Sequence, residues 1–162
     1  MLMAKVEDAG HLSEAVRRAG EHMKRRTYCV YNQIRECFIS LGVTPADTTF
    51  ARLKGLIGRT QLKFDDGVWV VPSRGIHTLG VLFPLDLMYL DSNNRVLHLI
   101  EHFRPFRVAP LRAQAASVLE LPTHTIYSSQ TQVGDQLLIC TAEEMERHLS
   151  QAPLEQLNAR TK

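Results

Sequence analysis

Hydrophobic positions along the chain follow two different rhythms. In the first 26 residues, Leu12, Ala15, Val16, Ala19 and Met23 recur at helical spacing and form one thin, Ala-rich stripe. Gly10 and Gly20 bracket it, Lys24-Arg25-Arg26 suit the negative end of a helix dipole, and the polar face mixes Glu14 and Glu21 with Arg17 and Arg18. This predicts an amphipathic helix that docks weakly or stays solvated. A basic helix lying on a membrane surface is the competing reading.

From Thr27 onward the rhythm shortens to runs of β-branched and aromatic residues. Tyr28-Cys29-Val30-Tyr31 and Cys37-Phe38-Ile39-Ser40-Leu41 predict two strands. Pro45 and Asp47 open a short helical stretch with Phe50, Leu53, Leu56 and Ile57 on one face. Asp65-Asp66-Gly67 is a turn into the strand Val68-Trp69-Val70-Val71, which Pro72 closes. Residues 82–90 are the longest apolar segment, interrupted by Pro84 and Asp86, and Asp91-Ser92-Asn93-Asn94 supplies a hairpin turn after it. Residues 96–100 form the return strand, and residues 117–121 and 136–140 two more. Residues 143–157 return to helical spacing, with Met145, Leu149 and Leu154 on one side and Pro153 as a break.

Short strands at near-regular spacing, with helices at the ends, predict a mainly β fold: a compact β-sandwich or jelly-roll-like small barrel with short helices at the N- and C-terminal ends. The expected organisation is a helical or flexible extension over 1–26, one β-rich domain over 27–141 and a helical tail over 142–162. Composition agrees: 162 residues with 44% hydrophobic and 22% charged side chains describe one globular domain with a real core. Nineteen basic against 17 acidic residues give +2, too mild a balance to imply nucleic acid or an anionic membrane. No apolar run is long enough for membrane insertion, and no signal-peptide core opens the chain, so the expected location is cytoplasmic. Glycine-rich phosphate loops and internal repeats are absent.

Few residues are placed for chemistry. His98 and His102 would share a helix face, but in a strand four residues span about 13 Å, too far for one ion. His11, His22 and His148 lie on the terminal helices without ligand partners. No metal and no cofactor is therefore expected. Cys29, Cys37 and Cys140 all fall in predicted strands, where a free thiol acts as a small hydrophobe. The most unusual stretch is Arg74-Gly75-Ile76-His77-Thr78 followed by Phe83-Pro84-Leu85-Asp86-Leu87. A carboxylate in such an apolar run is costly unless backbone N–H groups, Thr78, an arginine or His77 satisfy it. Pro84 marks an edge strand, a strand start or a bulge, features that often border sites. Asp86 then either buttresses a turn beside a satisfied His77, or both belong to a site. Ser73 and Thr78 flank His77, but no Gly-x-Ser-x-Gly elbow supports a nucleophile. Arg104-Pro105-Phe106-Arg107 and Arg112 form a basic loop that Arg59 and Arg74 would extend if the fold joined them.

The chain resembles the uncharacterised bacterial and archaeal domain-of-unknown-function family 192. The resemblance rests on Arg52-Leu53-Lys54-Gly55-Leu56-Ile57-Gly58-Arg59, Pro72 with Ile76-His77-Thr78, Phe83-Pro84-Leu85-Asp86 with Tyr89-Leu90-Asp91, and Arg95-Val96. Arg104-Pro105-Phe106-Arg107, residues 118–122 and Gly134-Asp135 complete it. It implies a compact sandwich or jelly-roll fold and brings no established activity, substrate or cofactor. The branch with an Ile-His-Thr block is associated with accessories of pilus assembly or secretion, a hint of context only. Ser73 stands where relatives of that branch carry Cys, so the resemblance implies no thiol mechanism here.

Three functions follow as expectations. The first is a non-enzymatic accessory module, a monomer or weak homodimer, that binds a protein or small molecule through His77, Thr78, Asp86, Arg59, Arg74 and Arg107. The alternative is a small hydrolase or transferase in which His77 is the base, Asp86 orients it, and Arg59 or Arg107 holds an anionic substrate. The third is a weak nucleic-acid binder.

Overall fold

The computed structural model describes residues 27–47 and 56–159, with side chains as far as residue 151. The expected N-terminal helix and the Phe50–Leu53 part of the short helical stretch lie outside these residues. Seven strands form one curled sheet, a half-barrel: β1 (Tyr28–Asn32), β2 (Cys37–Ala46), β3 (Asp66–Val70), β4 (Leu85–Leu90), β5 (Val96–Phe103), β6 (Ser117–Leu121) and β7 (Leu137–Cys140). The hydrogen-bonded order is β5-β4-β6-β3-β2-β1-β7. Neighbours run antiparallel except β2 and β3, which pair in parallel from Gly42↔Asp66 to Ala46↔Val70. The expected β-rich architecture is therefore present, as one sheet curled on itself.

The curl brings the two edge strands together at one end. Arg95 and Gln136 form an isolated bridge there. Val96 N donates to Asp135 O at 2.9 Å, and Leu137 N to Asn94 O at 3.1 Å. Asn94 supplies the turn with φ of +61°, the left-handed conformation for which Asn is suited.

Alternation along β4 explains why it reads as an unbroken apolar run. Leu87 and Tyr89 face one core cluster with Val68, Val70 and Val118. Met88 and Leu90 face a second cluster with Val30, Val43, Leu119 and Leu121 on the other side of the sheet. The first cluster is roofed by residues outside the strands, among them Leu56, Ile76, Val81, Phe83 and Ala109. Both faces of β4 and β6 are thus dry, and every residue of both strands is buried. Pro84 immediately precedes β4, so it marks a strand start and costs no ladder bond.

Two local expectations differ from the structure, and one element was not expected. Pro45 lies within β2 and opens no helix in the described residues. It sits beyond Val43, where the pairing with β1 ends, so its missing N–H leaves no partner wanting on that side. A five-residue helix, α1 (Thr125–Ser129), follows β6, bounded by left-handed His124 and Gln130. The last helix, α2 (Ala142–Ala159), continues through Pro153, since one lost hydrogen bond does not have to end a helix. Its start is a capping box: Glu144 Oε2 accepts from Thr141 N and Oγ1, and Thr141 Oγ1 accepts from Glu144 N. Met145 and Leu149 pack with Cys29, Tyr31 and Phe38. Among the described residues, no helix is long and apolar enough to cross a membrane.

Candidate functional site: two zipped loops beside the sheet

The Arg74–Thr78 stretch and the Arg104–Arg112 loop, separate in sequence, are held together as an irregular two-stranded ribbon. Arg112 N donates to Arg74 O at 2.8 Å, Ala109 N to Ile76 O at 2.8 Å, and Thr78 N to Arg107 O at 2.7 Å. Phe106 N returns a bond to Thr78 O at 3.1 Å, with Phe106 itself at φ +55°. Ser73 opens the ribbon: its Oγ donates to Gly75 O at 2.7 Å. A Cβ at Gly75 would crowd Pro110 O at 3.3 Å and push the exposed Leu111 side chain from 2.9 Å, so glycine eases the close approach of the two strands.

Thr78 is the pin of this ribbon. Fully buried, its Oγ1 lies 2.9 Å from Arg104 O and accepts from Arg107 N at 3.0 Å. Thr78→Val keeps the shape and removes both bonds, so the loops should loosen and stability should fall by about 2 kcal/mol. A thermal melt checks this, and an unchanged melt would mean that the ribbon does not depend on the hydroxyl.

Asp86 is not part of that ribbon. It has no exposed surface, and its two oxygens accept from His102 N at 2.9 Å and Ile126 N at 3.0 Å. The first bond arises from a register shift. Leu85 pairs with Phe103 but Leu87 with Ile100, leaving one extra residue in β5, and His102 there adopts φ of +51°. The second bond caps α1, whose own N-cap residue makes no side-chain cap.

His77 sits half-buried in an isolated bridge with Val108, and its Nδ1 is buried without a hydrogen-bond partner. His77 and Asp86 share no hydrogen bond, the Asp86 oxygens accepting from His102 N and Ile126 N instead, so the base-and-orienter pair required by the hydrolase reading is not formed. Arg59 is held elsewhere, by Asp66 at 3.1 Å beside the start of β3. Arg74 and Arg107 flank the ribbon with Arg104. All three are exposed, and none has a carboxylate within salt-bridge distance among the described residues.

The thiols lie in the sheet. Cys29 and Cys140 face each other across β1 and β7. Burial pushes each thiol up to about 11, which makes poor nucleophiles of both. No three His, Cys, Asp or Glu side chains converge as a metal site among the described residues.

Two features gave no signal in the sequence. The ribbon exposes Phe106, Val108 and Leu111, and the segment that follows it exposes Leu79 and Leu82, large apolar side chains at no regular spacing. Arg112 also reaches back to His98 on β5, a contact made only because the loop returns over the sheet.

A family profile described as "Uncharacterized ACR" matches residues 32–139. Two solved structures share the fold. A protein of unknown function from Novosphingobium aromaticivorans aligns at 21% identity with TM-score 0.57, covering 69% of this chain and 83% of its own. A putative transcription regulator from Sinorhizobium meliloti aligns at 22% identity with TM-score 0.58, covering 70% and 92%. No curated protein matches the chain.

Proposed function

The chain belongs to domain-of-unknown-function family 192, and from the geometry of its zipped loops we propose a non-enzymatic binding module whose ligand is an acidic, apolar-anchored segment of a partner protein. One observation carries this reading. Phe106, Val108 and Leu111 stand 57%, 72% and 78% exposed on a loop that backbone bonds tie to the Arg74–Thr78 stretch, beside arginines with no acidic partner among the described residues. Large apolar side chains on an ordered surface mark interaction sites, and desolvating them supplies binding energy. Arg74, Arg104 and Arg107 select the sign of the incoming charge and speed the encounter. Because the ribbon is already ordered, little loop entropy is lost on binding. The exposed aliphatic residues favour a polypeptide over nucleic acid, whose bases stack better on aromatic faces. The lack of any hydrogen bond between His77 and Asp86 favours binding over the hydrolase reading.

Selection of peptides from a random library on the intact protein tests the proposal. Enriched peptides should carry Asp or Glu next to Leu, Phe or Trp. Arg107→Glu and Phe106→Ser should each weaken them by about tenfold, the effect expected of one lost anchor or a reversed charge. Peptides without acidic residues, or peptides indifferent to both substitutions, would overturn it. So would a turnover that disappears in His77→Ala.

A further inference from the structure

A separate feature concerns Arg112 and the cleft beside β5. The Arg112 Nη2 lies 2.9 Å from His98 Nε2. A guanidinium can only donate, so this contact requires His98 to accept at Nε2 as a neutral ring. The His98 ring is steadied from behind by Tyr89, edge-on at 5.7 Å, and the Tyr89 hydroxyl donates to Pro110 O at 2.9 Å. Arg112 Nε is buried and has no hydrogen-bond partner. No carboxylate lies within salt-bridge distance of Arg112 among the described residues, so its charge faces a neutral imidazole with no counter-ion. A partly buried guanidinium in that state is costly and is ready to accept an anion.

The space for one is present. A cleft of about 350 Å³ is lined by Leu97, His98, Arg112, Ala113 and Gln114. This lining holds one fixed positive charge, no acidic side chain, an amide and an imidazole, with Leu97 and Ala113 as an apolar wall. We propose that the cleft is a binding site for a small organic oxyanion, a molecule bearing a carboxylate or a phosphate monoester. Arg112 receives the oxyanion, and His98 and Gln114 contact the remaining polar atoms. The fork of a guanidinium matches two oxygens of either group, where a lysine would offer only a point charge. The volume falls within the range of roughly 300–1,000 Å³ typical of small-molecule sites, which leaves room for a carbon skeleton against Leu97 and Ala113. Burial and the neighbouring Arg112 both hold His98 below the ordinary imidazole value, in keeping with the neutral ring that the geometry demands.

The full chain, labelled with ¹⁵N, is titrated with inorganic phosphate, phenyl phosphate and benzoate while the His98 ring and Arg112 Nε–H signals are followed. At least one probe should give saturable shifts of both signals. Response to the phosphates alone or to benzoate alone identifies which oxyanion the site takes. Arg112→Gln should weaken binding at least tenfold, and Arg112→Lys, which keeps the charge and loses the fork, should restore only part of it. Should Arg112→Gln fail to fold, Gln114→Glu serves instead: the position is exposed, and a carboxylate there should abolish binding while leaving the melt unchanged. Absence of a saturable shift with all three probes, or binding indifferent to these substitutions, overturns the site.

Discussion

Asp86→Ala is expected to lower stability by about 3 kcal/mol, because it strands the buried Ile126 N–H and the part-buried His102 N–H at once and leaves a void. The carboxylate joins two irregularities. One oxygen holds the His102 N–H freed by the β5 register shift, and the other caps α1 at Ile126 N. At about 2–4 °C per kcal/mol for a chain of this size, the melting temperature should fall by roughly 10 °C. Asp86→Asn should recover only part of the loss, since its amide keeps one acceptor and turns a donor toward a donor. A melt of Asp86→Ala that matches the parent would show that the two N–H groups find other partners and that the carboxylate is no anchor.

Asp135→Asn should be the second severe change, and its size should depend on pH. The Asp135 carboxylate accepts from Asn32 Nδ2 at 2.9 Å, Arg35 Nε at 3.0 Å and Gln132 N at 3.0 Å. It thereby ties the β1–β2 turn to the loop that leads into β7. Burial alone would raise its pKa, but the bonds from Arg35, Asn32 and Gln132 N outweigh burial and hold it below the ordinary 3.8. A depressed carboxylate contributes stability in full above its unfolded pKa and loses it as the pH falls through the folded value. The substitution should therefore cost about 2 kcal/mol at neutral pH, and the gap to the parent should shrink below about pH 4. Denaturant midpoints measured across that range check both statements, and a gap independent of pH would place the effect in packing instead of charge.

The parts of the fold legible in the sequence are those where one face, or both, must be dry. β4 and β6 stood out as apolar runs because the sheet is covered on both sides there, and β7 stood out by its β-branched and aliphatic run. The Asn-rich turn before β5 was legible because few residues accept left-handed geometry. α1 was not, since five residues are too few for a helical period to show. β5 runs three residues past its apolar part, to Phe103, because the bulge lets Glu101 and His102 remain in the strand while facing outward. Asp86 could be recognised from composition alone as an acid that must be satisfied. Its partners could not, because one depends on the bulge and the other on α1. Arg112 and His98 were each visible, the first as part of a basic loop and the second as a poor metal ligand. Only the return of the loop over β5 makes them neighbours.

The position of β7 has a consequence for the newly made chain. Among the described residues β7 is the last strand in sequence, yet it pairs with the first, from Cys29↔Cys140 to Asn32↔Leu137. Until residues 137–140 leave the ribosome, one edge of β1 carries unpaired N–H and C=O groups on the apolar sequence Tyr28-Cys29-Val30-Tyr31. An open apolar edge of this kind invites pairing with another chain. The same strand completes the Asp135 closure and leads into α2, which covers Cys29 and Tyr31. Synthesis order therefore leaves the first strand exposed longest, and a chain that stalls before Leu137 presents a sticky edge in place of a finished barrel wall.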